Sequence, residues 1–473
     1  VDAGKWLATI LAVPLLVLVS YQVFHDSSTR IGAIIVPKNL EDRGYTSRTI
    51  GRRIGYEIEK IIFDNKSSSI RQNFAVVDTP DAVLAPILTF PDESVQPKIE
   101  IPKTDLSFTS VVLFLQSALH VQPRQITGEI SEDGSGGLVA TISVNNWERA
   151  SPIRLFRKTG TEHDPDKLIS AMARAALELV NPYQLALHAY YEKNPQDTMK
   201  FILECDGEFA KWGWLLWGIV LSGENKFDEA IEKYKKSAEI APNFLNAHAS
   251  WGEALMSKPI PDYDSAIEQY AKVIEIDNNL AGVHNNLGVA LIHRYQEGNS
   301  DSVYDAAIEN YKKATELNPK LADAYYNWGN ALRKKKPIAD YDGAIEKYEK
   351  ATLLDPTIAS AYNNWGYALT QKLNPDYDGA IEKFWKAMKV VPKDRYMQNI
   401  QEAIGKDEHP RDAAAHFAQI ARDVPNDWIG HYISGALEIR AGDPGSGTAE
   451  LRRADKLQPG NHFVRDALRE VAK

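Results

Sequence analysis

One cysteine, Cys205, stands among 473 residues, so no internal disulfide framework and no cysteine metal cluster can form. A lone cysteine of this kind is expected to be a small core residue rather than a nucleophile. Basic residues gather into no stripe: 54 Lys and Arg face 64 Asp and Glu, a formal charge of -10 that argues against a nucleic-acid partner. Also missing are His-Glu-x-x-His, Gly-x-Ser-x-Gly, and a glycine-rich loop running into a helix with a lysine. Gly134, Gly136 and Gly137 lack the following helix and lysine that a phosphate cradle needs, and read as a hairpin turn. The chain is therefore expected to have no catalytic residues, to bind no metal and no cofactor, and not to be an enzyme.

Long apolar runs are scarce, with one exception. Trp6 to Phe24 reads WLATILAVPLLVLVSYQVF, and its 19 residues are about enough to cross a hydrocarbon core as one helix. Trp6 and Tyr21 sit near its ends, where interfacial aromatics belong. The run predicts a single-pass anchor in a lipid bilayer. Lys5 on one side against Arg30, Lys38 and Arg43 on the other favours a cytoplasmic soluble part, with an extracytoplasmic one as the alternative.

What the chain has in abundance is a returning phrase, Ala-Ile-Glu-x-(Tyr/Phe). It begins at Ala230, Ala266, Ala307, Ala344 and Ala380, at spacings of 36, 41, 37 and 36 residues. A period of that size marks a repeat array. Trp217-Gly218, Trp251-Gly252, Leu287-Gly288, Trp328-Gly329 and Trp365-Gly366 stand upstream, and Pro242, Pro319, Pro356 and Pro392 stand downstream, with Asn278 replacing the proline in the second copy. This grammar resembles the tetratricopeptide repeat, a helical hairpin in which glycine on the first helix and alanine on the second let the backbones approach. One hairpin cannot bury its apolar face alone, so neighbours must stack.

The resemblance implies a mainly α fold: an α-solenoid over residues 211–460, with five clear and two degenerate repeats. Ala413, Phe417 and Pro425 keep the offsets of a sixth repeat, and Gly435, Gly447, Leu451, Ala454 and Pro459 those of a seventh. Residues 161–210 are expected as a helical connector and capping hairpin, and 461–473 as a closing helix. Between the Gly and the Ala the first copy has an offset of 12 residues, the next four 14, 19, 15 and 14. The added residues, such as Lys258-Pro-Ile-Pro-Asp and Lys372-Leu-Asn-Pro-Asp, lengthen the turn inside each hairpin along one edge of the array.

Residues 31–160 carry no repeat. A strand at 31–36, helices at 46–63 and 106–120, and a hairpin with alternation at Ile126, Gly128 and Ile130 and at Leu138, Ala140, Ile142 and Val144 predict a small α+β domain. A further strand is expected at 153–156 and a helix at 164–179.

Counting the glycine as position eight, His248 and His284 share position four, where packed helix histidines are expected rather than a metal pair. The resemblance places the sixth position in the groove lined by the first helices. That position is Asn286, Asn327 and Asn364 in the third to fifth repeats. Such a ladder is similar to that of the O-GlcNAc transferase superhelix, where side-chain amides hold the backbone of an extended peptide. Asn285, Asn363 and Asn330 enrich the same surface, and Tyr326 and Tyr367 add apolar contact. The functional expectation is a membrane-anchored scaffold that recruits a protein or extended peptide. The alternative is a structural subunit of an oligomeric membrane complex, self-associating through residues 31–160.

Overall fold

The computed structural model describes residues 29–67, 88–89, 124–132, 138–145, 156–159, 165–296, 298, 301–335 and 338–472. Two compact units divide the chain, residues 1–247 and 248–473. The first opens with β1 (Thr29–Ile35), α1 (Lys38–Glu41), α2 (Ser47–Ser67), β2 (Leu88–Thr89), β3 (Arg124–Glu132), β4 (Leu138–Asn145), β5 (Phe156–Thr159) and α3 (Pro165–Val180). The strands form one sheet in the order β2-β1-β3-β4-β5. β3 and β4 make the expected antiparallel hairpin, and β1 runs parallel to β3. A parallel pair needs a crossover, which a helix such as α2 supplies.

Alternation decides which face of this sheet is covered. Ile31, Ile34, Ile126, Ile130 and Ile142 are buried, while Thr127 and Ser143 on the opposite face bond to each other at 2.8 Å. α2 contributes Ile50, Ile54 and Ile58, spaced one turn apart and all buried; α3 contributes Leu168, Ile169 and Met172. The predicted strand at 153–156 begins instead at Phe156, and Ile153 lies outside the described residues.

α4 (Pro182–Tyr191) and α5 (Pro195–Glu204) form the hairpin expected before the repeats. Each starts with proline behind an Asn whose side chain accepts from the backbone three residues on, Asn181 from Gln184 and Asn194 from Asp197. The second helix stops at Glu204, and Gly207–Phe209 is a separate 3-10 turn. Cys205 sits at that break, its thiol donating to the Phe201 carbonyl at 3.3 Å, and burial pushes its pKa up to about 12. Cys205 is half-buried rather than in the core, and its thiol stays un-ionised.

The first repeat, α6 (Ala210–Gly223) and α7 (Phe227–Ile240), completes this unit. The others follow as α8 (Leu245–Ser257) with α9 (Tyr263–Ile276), α10 (Ala281–Gln296) with α11 (Asp301–Leu317), α12 (Ala322–Lys334) with α13 (Tyr341–Leu354), and α14 (Ala359–Gln371) with α15 (Tyr377–Val390). α16 (Asp394–Lys406) with α17 (Pro410–Asp423) and α18 (Trp428–Arg440) with α19 (Pro444–Leu457) are the sixth and seventh, and α20 (His462–Val471) closes the array.

In repeats one to five the glycine of the first helix is dictated by the aromatic of the second. A Cβ on Gly218 would stand 2.3 Å from the Tyr234 ring, and one on Gly288, Gly329 or Gly366 would stand 2.7 or 2.8 Å from Tyr311, Tyr348 or Phe384. Those rings are at most 2 % exposed and have nowhere to retreat. The seventh repeat has Leu451 in place of the aromatic, and its helices close further. There a Cβ on Gly435 would meet the Gly447 carbonyl at 2.7 Å, so both positions need glycine.

The expected single-pass membrane location is corrected by the fold. Among the described residues no helix is long and apolar enough to cross a membrane. The 21-residue α2 has the length but carries Arg48, Arg52, Arg53, Glu57, Glu59 and Lys60. Trp6–Phe24, which carried the expectation together with its bilayer contact, lies outside the described residues, as does the predicted helix at 106–120.

Candidate functional site: an amide run across four helices

Within the second unit, α10, α12, α14 and α16 are the first helices of repeats three to six. Their sixth positions are Asn286, Asn327, Asn364 and Asn399. Three of these amides reach back to the repeat before. Asn327 Nδ2 donates to Asn285 Oδ1 at 3.0 Å, Asn364 Nδ2 to Asn330 Oδ1 at 2.8 Å, and Asn399 Nδ2 to Asn363 Oδ1 at 2.7 Å. Within a repeat, Asn285 donates to Asn286 at 3.1 Å and Asn363 to Asn364 at 3.3 Å. The asparagines singled out from the sequence therefore fall into two short runs of amide–amide hydrogen bonds, Asn286–Asn285–Asn327 and Asn330–Asn364–Asn363–Asn399, which meet on α12.

The run is partly spent on itself. A carboxamide offers two N–H groups and two lone pairs, and each inter-repeat bond uses one N–H of the sixth-position residue. Asn286 Nδ2, Asn330 Nδ2, Asn327 Oδ1 and Asn399 Oδ1 enter none of these bonds. Most of the amides are half-buried.

The two tyrosines divide. Tyr326 is half-buried, its ring 6.2 Å from that of Tyr348, and serves packing. Tyr367 is 40 % exposed, and the Arg333 guanidinium lies 5.3 Å from its ring centre. Arg333 Nε also donates to the Tyr348 hydroxyl at 3.3 Å, and that hydroxyl donates to Asn330 Oδ1 at 2.8 Å. A cation, an aromatic face and the amide run are thus tied together at the end of α12. Beside them, desolvation and the Arg333 charge hold the Lys334 ammonium below its ordinary range.

Two members were missed by sequence reasoning. Asn399 stands 14 residues before Ala413, the family's offset from position six to position twenty, yet position eight of that repeat is Gln401, so the glycine marker is gone. Counting back from the alanine finds it. The Tyr348 hydroxyl carried no signal, because its ring is a core residue and only its tip reaches the face.

Position four meets a different partner, the residue just before the second-helix aromatic or, in the seventh repeat, before the Leu451 that replaces it. His248 bonds to Gln269 at 2.9 Å, His284 to Asn310 at 2.8 Å, and His431 to Glu450 at 2.5 Å. Where position four is Trp214, Tyr325 or Tyr362, that partner is Lys233, Lys347 or Lys383, each over the position-seven indole at 4.1 to 4.5 Å. The histidines are packed, hydrogen-bonded clips between paired helices. Among the described residues no group of three His, Cys, Asp or Glu is placed to hold a metal.

A sequence model of the TPR repeat matches residues 262–292 and 302–336. Among curated proteins none matches the chain. Among solved structures, the chain is similar to MamA, at 29 % identity over 38 % of this chain and 96 % of that one, with a TM-score of 0.32. It is also similar to MamA from Desulfovibrio magneticus RS-1, at 22 % identity over 39 % and 96 %, with a TM-score of 0.34. YrrB, described as a TPR protein with an unusual peptide-binding site, shares 22 % identity over 40 % and 91 %, with a TM-score of 0.33. The chain carries tetratricopeptide repeats, whose general role is protein–protein interaction.

Proposed function

We propose that this chain is a non-enzymatic scaffold whose amide run holds an extended polypeptide segment of a partner protein. The observation that carries the reading is the set of half-buried amides on four first helices, with donors and acceptors left over from the bonds between repeats, beside the Arg333–Tyr367 pair. An extended peptide presents alternating N–H and C=O groups, which carboxamides pair with regardless of side chain. Tyr367 supplies a flat apolar contact, and Arg333 favours an acidic residue of the segment.

The test separates binding from folding. Asn327 and Asn364 bridge repeats, so their loss also loosens the array; Asn286 and Tyr367 make no bond to another repeat's asparagines. Random extended peptides displayed on phage are selected on the full chain, and their affinities for it and for Asn286→Ala/Tyr367→Ala are compared by fluorescence anisotropy. The double variant should bind about tenfold more weakly, roughly 1.4 kcal/mol, with unchanged far-ultraviolet dichroism and a melting midpoint lowered only by loss of the Arg333 contact. Equal affinity for both proteins, or no selectable peptide, removes the amide face from the account.

A further inference from the structure

Three of the lengthened turns share more than their length. Each closes with the same backbone bond, from the residue that caps the second helix back to position eleven of the first. These are Asp262 N to Leu255 O at 3.1 Å, Asp340 N to Leu332 O at 3.0 Å, and Asp376 N to Leu369 O at 3.0 Å. Each capping Asp then accepts from the backbone three residues on, Ser265, Gly343 or Gly379. Identical closure sets the three turns at equivalent places on the second, fourth and fifth hairpins.

At the tip of each stands a bulky aliphatic in water: Ile260 is 83 % exposed, Ile338 78 % and Leu373 96 %. A turn lengthened for its own sake is made of Gly, Asn, Asp, Ser and Pro. The uninserted turns of the first and seventh repeats close instead through left-handed Asn225 and Gly442. Three such aliphatics at the same turn of three hairpins put apolar surface along one edge, which solvent alone does not explain.

Charge identifies what covers it. In every tip a lysine precedes the aliphatic, on the first-helix side (Lys258, Lys335, Lys372), and the capping aspartate follows it, on the second-helix side. A two-fold axis running along the row would bring each tip against its own counterpart and reverse the side on which the lysine lies. Lysine then meets aspartate at all three levels, with the aliphatics between them. A row of one sign would repel itself in that arrangement, and an axis across the row would set lysine on lysine. We propose that this edge is an isologous interface with a second copy of the chain, closed by Ile260, Ile338 and Leu373 meeting their own images.

The full chain is examined by sedimentation velocity up to about 100 µM, where a micromolar dimer is populated. The wild type should pass from monomer to dimer with concentration. Ile260→Ser/Ile338→Ser/Leu373→Ser, which leaves the net charge of -10 unchanged, should stay monomeric with unaltered far-ultraviolet dichroism. In a Cys205→Ser background, Leu373→Cys alone should yield disulfide-linked dimers under mild oxidation. A monomeric wild type at the highest concentration, or a triple-serine variant that still dimerises, overturns the interface. A Leu373→Cys variant that resists crosslinking while dimeric overturns the two-fold axis.

Discussion

Asp378 shows how a single carboxylate is set by its neighbours. It lies in the first turn of α15, where the helix dipole favours an ionised carboxylate, yet burial and then the charge of Asp407 push its pKa up to about 6 from 3.8. Asp378 Oδ1 and Asp407 Oδ2 are both buried without a hydrogen-bond partner among the described residues, and Asp407 is only 5 % exposed. The raised value fixes the sign of the pH dependence. The folded chain keeps a proton that the unfolded chain releases, so the contribution is full below the unfolded value and is lost as the pH rises through about 6. Asp378→Asn should remove that slope, and at pH 7 it should raise stability by about 1 kcal/mol once solvent screening of this partly exposed group is allowed for. Urea midpoints of the two proteins at a series of values across this window decide it, since parallel curves would show that the pair carries no linkage. Neither residue could be paired from the sequence. Asp378 belongs to the fifth repeat and Asp407 caps the first helix of the sixth, and the repeat pattern leaves both positions free.

At the scale of elements, legibility followed the strength of the local constraint. Gly329 and Tyr348 lie 19 residues apart, and the repeat register marked both; the close approach expected between glycine and alanine falls first on the ring, where a Cβ would stand 2.8 Å from it. The asparagine positions came from the same register, but their mutual bonding did not, since a groove amide looks the same in sequence whether it faces a ligand or another amide. In the first unit, period-two alternation disclosed the β3–β4 hairpin, whereas the parallel pairing of β1 with β3 rests on contacts across some 90 residues and left no local mark. The close approach yields a direct comparison. Gly329→Ala gains helix propensity but forces the buried Tyr348 ring to shift, for a net loss of about 1–2 kcal/mol. Gly405→Ala, at a helical glycine where an added Cβ meets nothing within 4 Å, should gain up to about 1 kcal/mol. Thermal unfolding of both variants tests the packing, and a neutral Gly329→Ala would mean that the helices are free to part.

Over the whole molecule, the second unit is not uniformly knitted. One core runs unbroken from Ala359 through Phe384, Ile400, Phe417 and Leu437 to Val464, joining repeats five to seven with the closing helix. Repeats three and four have smaller cores of their own, around Tyr311 and around Tyr348. Stability in a repeat array is a sum over nearest-neighbour interfaces, so a stretch with smaller shared cores opens at lower free energy. α10 to α13 should therefore exchange amide hydrogens sooner than α15 to α19, by a difference of about 2 kcal/mol in opening free energy. The same helices carry Asn285, Asn286, Asn327 and Asn330, so the amide bonds from Asn364 and Asn327 tie the looser repeats to one another and to the firmer core. A bound segment lying along the face would add to that tie and should slow exchange first in α10 and α12. Hydrogen exchange read by mass spectrometry on the free chain tests the order of opening, and equal protection across all of these helices would show that the separate cores act as one.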